Sequence, residues 1–320
     1  MAVYTNIPDN ELVRFMEQYD IGAPLSIKGI AEGVENSNYL LRTQAGQYIL
    51  TLYEKRVQAE DLPYFLGLMR HLVRKGFTCP EPIATRAGEM VSICSGRPAA
   101  IVRFLDGIWL NAPGMGHCRA LGRGMAEMHR LAADFTMIRI NALGPMGWRN
   151  LRDRIGERAQ EIHIDLPALL DDELGFLDKA WPRDLPTGQI HADLFPDNVF
   201  FLGERLSGFI DFYFACTDFL AYDLAVALNA WCFENGDIYC PERGAALVDA
   251  YHAARPLRPE ERSALPVLAR GAALRFLLTR AYDWLNPQRD ALVQPKNPME
   301  YMHKLVAFRE KPAVTASSRA

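Results

Sequence analysis

At 320 residues the chain exceeds what one hydrophobic core usually serves, so two lobes are expected. Hydrophobic residues at 49% and charged residues at 23% exclude a disordered or fibrous chain and fit a soluble globular one. The net charge of −4 and pI near 6.0 leave no basic footprint for nucleic acid, and no stretch approaches the ~20 apolar residues of a membrane helix.

Residues 9–19 carry Leu12, Phe15, Met16 and Tyr19 at helical spacing. Between about 25 and 53, two β-rich runs are joined by short glycine-containing links, which predicts antiparallel hairpins. A helix is expected over 59–75, with Leu62, Phe65, Leu66, Met69, Leu72 and Val73 on one stripe and Gly76 as its C-terminal cap. Strands at 89–94 and 98–104 complete a small α+β lobe. Beyond Asp106-Gly107 helical periodicity dominates, at about 116–132, 149–162, 167–180, 220–233, 242–254 and 260–286. A β-rich island at 190–212 interrupts it. The division expected is an N-terminal lobe over 1–104, a mainly helical C-terminal lobe over 105–310, and a disordered tail over 311–320.

The six cysteines show no CxxC pair and no zinc-ligand spacing. Scattered thiols read as reduced, and the first residues have neither a basic nor an apolar signal region. A cytoplasmic protein is the expectation.

The island carries the chemistry. His191-Ala-Asp193-Leu-Phe-Pro-Asp-Asn198 sets polar residues among apolar ones on a loop, with Val199–Leu202 as a strand after it. Gly203–Ser207 reads as a turn and Gly208–Ile210 as the returning strand, which brings Asp211 back beside Asn198. Magnesium takes hard oxygen ligands and keeps several waters, so Asn198 and Asp211 with phosphate oxygens make an adequate set. Asp193 suits the group that orients a substrate hydroxyl and accepts its proton, and phosphoryl transfer from ATP is the reaction that uses these parts. His191, beside it, is read as organising the catalytic loop. There is no GxxxxGK[ST] and no strand-borne dinucleotide fingerprint.

HxDxxxxN over 191–198 with Ile210-Asp211-Phe212 resembles the core of the aminoglycoside phosphotransferase and choline kinase superfamily, which implies a two-lobed protein-kinase-like fold. Asp218-Phe-Leu-Ala-Tyr-Asp223-Leu-Ala and Leu121-Gly-x3-Ala-Glu-Met-His129 resemble two more of its segments. A narrower resemblance, to the bacterial homoserine kinase branch, runs from about residue 1 to 310. It is carried by Gly29-Ile-Ala-Glu-Gly33-Val-Glu-Asn-Ser-Asn38-Tyr, Tyr48–Arg56, Asp61–Met69, Asp211–Cys216, Leu228–Glu234 and Leu274–Trp284. The resemblance implies transfer of the ATP γ-phosphate to L-homoserine, on the route to threonine, by a monomer or homodimer. The same fold also serves choline, ethanolamine and aminoglycosides, and a catalytically silent ATP-binding regulator is the reading of a different class.

By the same resemblance Glu32, Gly33 and Asn36 belong to the loop over the nucleotide phosphates, and Arg103, Phe104 and Leu105 to the connector that holds adenine. The strand position where the superfamily carries a phosphate-binding cation is Thr51 here, leaving Lys28 or Lys55 as replacements. Homoserine is a zwitterion. Its ammonium calls for a carboxylate, with Asp218 and Asp223 as candidates, Asp223 being read rather as a structural clamp on the catalytic loop. Its carboxylate calls for an arginine fork, with Arg275 and Arg280 as candidates, buried ion pairing being their alternative role. Trp231, Tyr282 and Trp284 are candidates for the pocket wall, although aromatics at helical spacing are more often core.

Overall fold

The computed structural model describes residues 5–30, 36–54, 58–287 and 295–310. Glu32, Gly33, Lys55 and the expected tail at 311–320 lie outside these residues. The chain divides into two compact units between Asp106 and Gly107.

In the first unit, α1 (Asp9–Met16) precedes β1 (Pro24–Gly29), β2 (Ser37–Thr43) and β3 (Gly46–Leu52). A short 3-10 turn at Ala59–Asp61 leads into α2 (Leu62–Arg74), and then come β4 (Pro82–Ile83), β5 (Ser92–Cys94) and β6 (Arg97–Arg103). All pairings are antiparallel, in the order β1-β2-β3-β6-β4 with β5 also on β6. Alternation on the strands decides which face is buried. Tyr39 and Leu41, Tyr48, Leu50 and Leu52, and Ala99 and Ile101 point to one side and form a core with Leu12, Phe15 and Met16 of α1. Gly76 has φ +89 and its N–H reaches Val73 O, so the cap expected after α2 is present.

The second unit holds α3 (Met115–Leu131), α4 (Pro145–Ile155), α5 (Leu166–Ala180), β7 (Thr187–Ile190), β8 (Val199–Leu202), β9 (Arg205–Phe209), β10 (Cys216–Phe219) and α6 (Leu220–Trp231). A small hairpin of β11 (Phe233–Glu234) and β12 (Ile238–Tyr239) then precedes α7 (Pro241–Ala254), α8 (Pro259–Leu285) and α9 (Met299–Glu310). Gly122 lets α3 lie against α7, because a Cβ there would stand 2.3 Å from Leu247 O. Nearly every residue of α6 is buried, the signature of a helix apolar on all sides. The expected helix at 149–162 begins four residues earlier and finishes as a 3-10 turn over Gly156–Glu161.

A small antiparallel sheet in one unit and a mainly helical second unit make the fold α+β, as the sequence reading expected. All six cysteines are free thiols, and no helix among the described residues is long and apolar enough to cross a membrane.

Candidate active site

Strand β7 ends at Ile190, where it pairs with Cys216 of β10, and delivers His191 into a fully buried position. Its Nε2 lies 2.9 Å from Ile210 O and must donate, so Nδ1 is the acceptor for the Asp193 N–H at 3.3 Å. Burial pushes the His191 pKa down to about 4 against the opposing charge of Asp223, so the ring is neutral at pH 7. Both nitrogens are taken by backbone groups of its own chain. The ring sets the loop's shape.

Asp223, on α6, holds the same loop from the other side. One carboxylate oxygen accepts the Ala192 N–H at 2.8 Å, and the other accepts the His191 N–H at 2.9 Å and the His129 Nε2–H at 3.0 Å. His129 Nδ1 in turn accepts the Tyr251 hydroxyl at 2.7 Å. Burial alone pushes the Asp223 carboxyl up, but the His129 bond and the flanking donors outweigh it and hold its pKa below the usual range. A fully buried carboxylate is stable only with its lone pairs satisfied, and here they are.

Beyond Asp193 the chain makes a 3-10 turn over Pro196–Asn198. The Asn198 amide donates to Asp193 O at 2.8 Å and to the Asp193 carboxylate at 3.1 Å, which turns the amide oxygen away from that carboxylate. Strands β8 and β9 pair Val199 with Phe209, and the Ile210 N–H reaches Asn198 O at 3.0 Å. Asp211 thereby returns beside Asn198, in a left-handed conformation with φ +61. The hairpin turn is shorter than the expected Gly203–Ser207. Arg205–Ser207 already belong to β9, since Gly203 at φ +62 reverses the chain within two residues. Trp231 Nε1 donates to Leu194 O at 2.7 Å, so this aromatic braces the loop from the core.

In the first unit most of the expected nucleotide contacts are bonded within that unit, and Lys28 is exposed. Thr51 is buried and its hydroxyl donates to Asn38 Oδ1 at 2.8 Å. Lys28 is exposed, opposite Leu40 in register, and so on the same sheet face as Asn38 and Thr51. Asn36 is buried and accepts the Glu54 N–H at 3.4 Å. Arg103 is exposed and paired with Glu81 at 3.1 Å, and the Phe104 N–H is used by Gln47 O at 3.1 Å. Leu105 is half-buried.

Residues 26–257 match the profile of the phosphotransferase enzyme family. The chain belongs to this family. It is 57% identical over 310 residues to a homoserine kinase of Brucella anthropi, covering 97% of this chain and 95% of that protein. It is also 57% identical over 309 residues to a homoserine kinase of a Methylobacterium species, covering 97% and 96%. Among solved structures, spectinomycin phosphotransferase in complex with ADP and spectinomycin superposes with a TM-score of 0.74 at 13% identity, over 97% of this chain and all of that one. That likeness shows the shared fold.

In this phosphotransferase the acidic and basic substrate candidates differ in what already holds them. Asp218 is half-buried, accepts Asn141 Nδ2–H at 2.7 Å and the Phe219 N–H at 2.7 Å, and burial raises its pKa. Arg280 is paired with Glu300 at 2.6 Å and stacked on Tyr301, the ion-pair alternative for that residue. Arg275 is 2% exposed and donates to Ala192 O at 2.5 Å. Tyr282 accepts a hydrogen bond from Arg154, and Trp284 is exposed. The sequence reading missed the segment at 137–141, which runs beside β10 through an Ile140–Thr217 bridge and supplies Asn141 and Arg139. It also missed α9, where Glu300 sits, although Tyr301, Leu305 and Phe308 recur at helical spacing.

Proposed function

We propose that this phosphotransferase moves the γ-phosphate of ATP onto the side-chain hydroxyl of L-homoserine, giving O-phospho-L-homoserine for threonine synthesis. The observation that carries the acceptor is the near full-length identity to homoserine kinases. The observation that supports the chemistry is the alignment of Asp193, Asn198 and Asp211 on one braced loop and hairpin.

Asp193 orients the homoserine hydroxyl and accepts its proton. Its carboxylate is held by the Asn198 amide at 3.1 Å, and a loose transition state asks little more of a base than that it be correctly aimed. Asn198 and Asp211 are the candidates to hold magnesium through an amide oxygen and a carboxylate, hard donors of the kind that ion prefers. The bound ion would neutralise charge on the phosphate oxygens. The orientation of Asn198 supports this role, because both of its hydrogen bonds to Asp193 come from the amide nitrogen. His191 acts on the loop and takes no proton. Asp218 offers its remaining lone pairs to the substrate ammonium.

On the nucleotide side, Glu32, Gly33 and Asn36 cover the phosphates, and the backbone of Arg103, Phe104 and Leu105 faces adenine. Lys28, exposed on the Thr51 face of the sheet, is the replacement cation to test.

A coupled assay of ADP release with L-homoserine, choline, ethanolamine and kanamycin in parallel tests the acceptor. Turnover is expected with homoserine alone. Turnover only with another acceptor would overturn the substrate, and turnover with none would favour a regulator.

A further inference from the structure

Three arginines of α8 are held in different ways. Arg270 meets Glu173 at 2.6 Å and Arg280 meets Glu300 at 2.6 Å, each with its charge matched by a carboxylate. Arg275 lies between them, almost wholly buried, and it makes no such close ion pair, although the Asp218 carboxylate is near enough to feel its charge. Its closest partner is a backbone carbonyl, Ala192 O, with the Tyr222 hydroxyl nearby. The rings of Phe276 and Phe214 lie 4.6 and 5.6 Å from its guanidinium carbon, and its Nε has no acceptor. Burying a cation with no carboxylate bonded directly to it is unfavourable by several kcal/mol even after relaxation. A residue kept solely for stability would be apolar here.

The carbonyl it grips is informative. Ala192 has φ +63, a left-handed conformation that costs a side-chain-bearing residue about 1 kcal/mol. Ala192 C=O and Asp193 N–H belong to one peptide plane. Arg275 takes the oxygen of that plane and His191 Nδ1 takes its N–H. The preceding plane is fixed by Asp223, which accepts the Ala192 N–H. With both planes pinned, φ and ψ of Ala192 and the position of the Asp193 Cα are set, and the plane after Asp193, whose carbonyl accepts the Asn198 amide, sets the direction of its Cα–Cβ bond.

We propose that Arg275 is a positioning residue, which holds the Ala192–Asp193 peptide in its strained orientation and so aims the Asp193 carboxylate at the acceptor hydroxyl. The inference rests on the reading of Asp193 as the base. A misplacement of about 1 Å at such a group costs on the order of a hundredfold in rate.

The test compares wild type with Arg275→Met and Arg275→Ala. Arg275→Met, close in volume, is expected to keep its cooperative thermal unfolding while kcat falls about a hundredfold and the ATP KM moves less than about twofold, since the lost interaction acts on the transition state. Ethylguanidinium added to Arg275→Ala is expected to restore kcat at least about tenfold, whereas sodium chloride at equal ionic strength is not, because a planar donor fork is required. A folded Arg275→Met with kcat within about threefold of wild type would overturn the proposal, that being too small for misaimed chemistry. So would a loss of activity that ethylguanidinium leaves unchanged. If wild type prefers another acceptor, the homoserine reading fails and the same comparison runs on that acceptor. A crystal structure of Arg275→Ala gives an answer free of any acceptor: Ala192 should leave the left-handed region, and an unaltered loop over 190–198 would contradict the role.

Discussion

The two units of this phosphotransferase hold the residues proposed for function in different ways. In the second unit the loop over 191–198 is held by two buried polar side chains, Asp223 of α6 and Arg275 of α8, with His129 of α3 bonded to Asp223 behind it. In the first unit, apart from the buried Asn36, the residues proposed for the nucleotide are an exposed lysine, an arginine already paired with Glu81, and backbone groups of β6 and its exit. The contrast follows from the task. A base must be aimed, which takes dedicated side chains, whereas contacts made through backbone groups would leave side-chain identity free. Substitutions in the second unit should therefore reach kcat and stability, and those in the first should stay in the ATP KM.

The largest effect is expected at Asp193 itself. Asp193→Asn should lower kcat by about a thousandfold, within the usual range for a general base, with ATP affinity unchanged by calorimetry. A kcat like that of wild type would remove Asp193 from the mechanism.

Next comes Asp223→Ala, which strands the His191, Ala192 and His129 donors in the core. Stability should drop by about 4 kcal/mol, read from urea denaturation, since breaking a buried charged network leaves its partners unsatisfied. A loss below about 1 kcal/mol, the scale of one ordinary hydrogen bond, would show that the loop is held by other means.

The buried imidazole adds a pH dependence of known sign. The folded His191 pKa lies near 4, below its unfolded value of about 6.5. Its contribution is therefore complete above pH 6.5 and is lost as pH falls toward 4, where the unfolded state binds the extra proton. Asp223, with its pKa held low, acts in the same direction at still lower pH. Urea midpoints at pH 7 and pH 4.5 should differ by an amount equivalent to about 3 kcal/mol at most. A His191→Gln variant should show a shallower slope, and an equal slope in both proteins would refute the assignment.

The smallest effect belongs to the first unit. Lys28→Met should raise the ATP KM by about tenfold or less and leave kcat within about threefold, as expected for one solvated cation near a phosphate. A collapse of kcat instead would break the contrast between the units, and an unchanged KM would discard Lys28 as the replacement for the cation missing at Thr51.

Much of this was legible from local pattern. The hairpin of β8 and β9 could be read because alternation on Val199–Leu202, a turn glycine and a returning apolar run lie within a dozen residues. The same closeness let Asn198 and Asp211 be paired without a structure. The bonds that hold the loop were less accessible. His129 and Asp223 are 94 residues apart, and Arg275 is 83 from Ala192, so no periodicity links them. Strand β10 is four residues long and its one strand partner among the described residues, β7, is equally short, too brief for alternation to register. In α9 a buried Lys304, bonded to Glu300 and to Asn229 O, interrupts the apolar stripe. An arginine on an apolar helix signals a constraint, and the structure is needed to say that its partner is a carbonyl.

The most direct test of the account is to identify where the phosphate goes. The wild-type protein, ATP, magnesium and L-homoserine would be followed by 31P NMR with proton correlation. The account predicts a new phosphate monoester coupled to the homoserine γ-methylene protons, formed with ADP in equal amounts and absent with Asp193→Asn. Inorganic phosphate alone, or an ester formed equally well by Asp193→Asn, would contradict it.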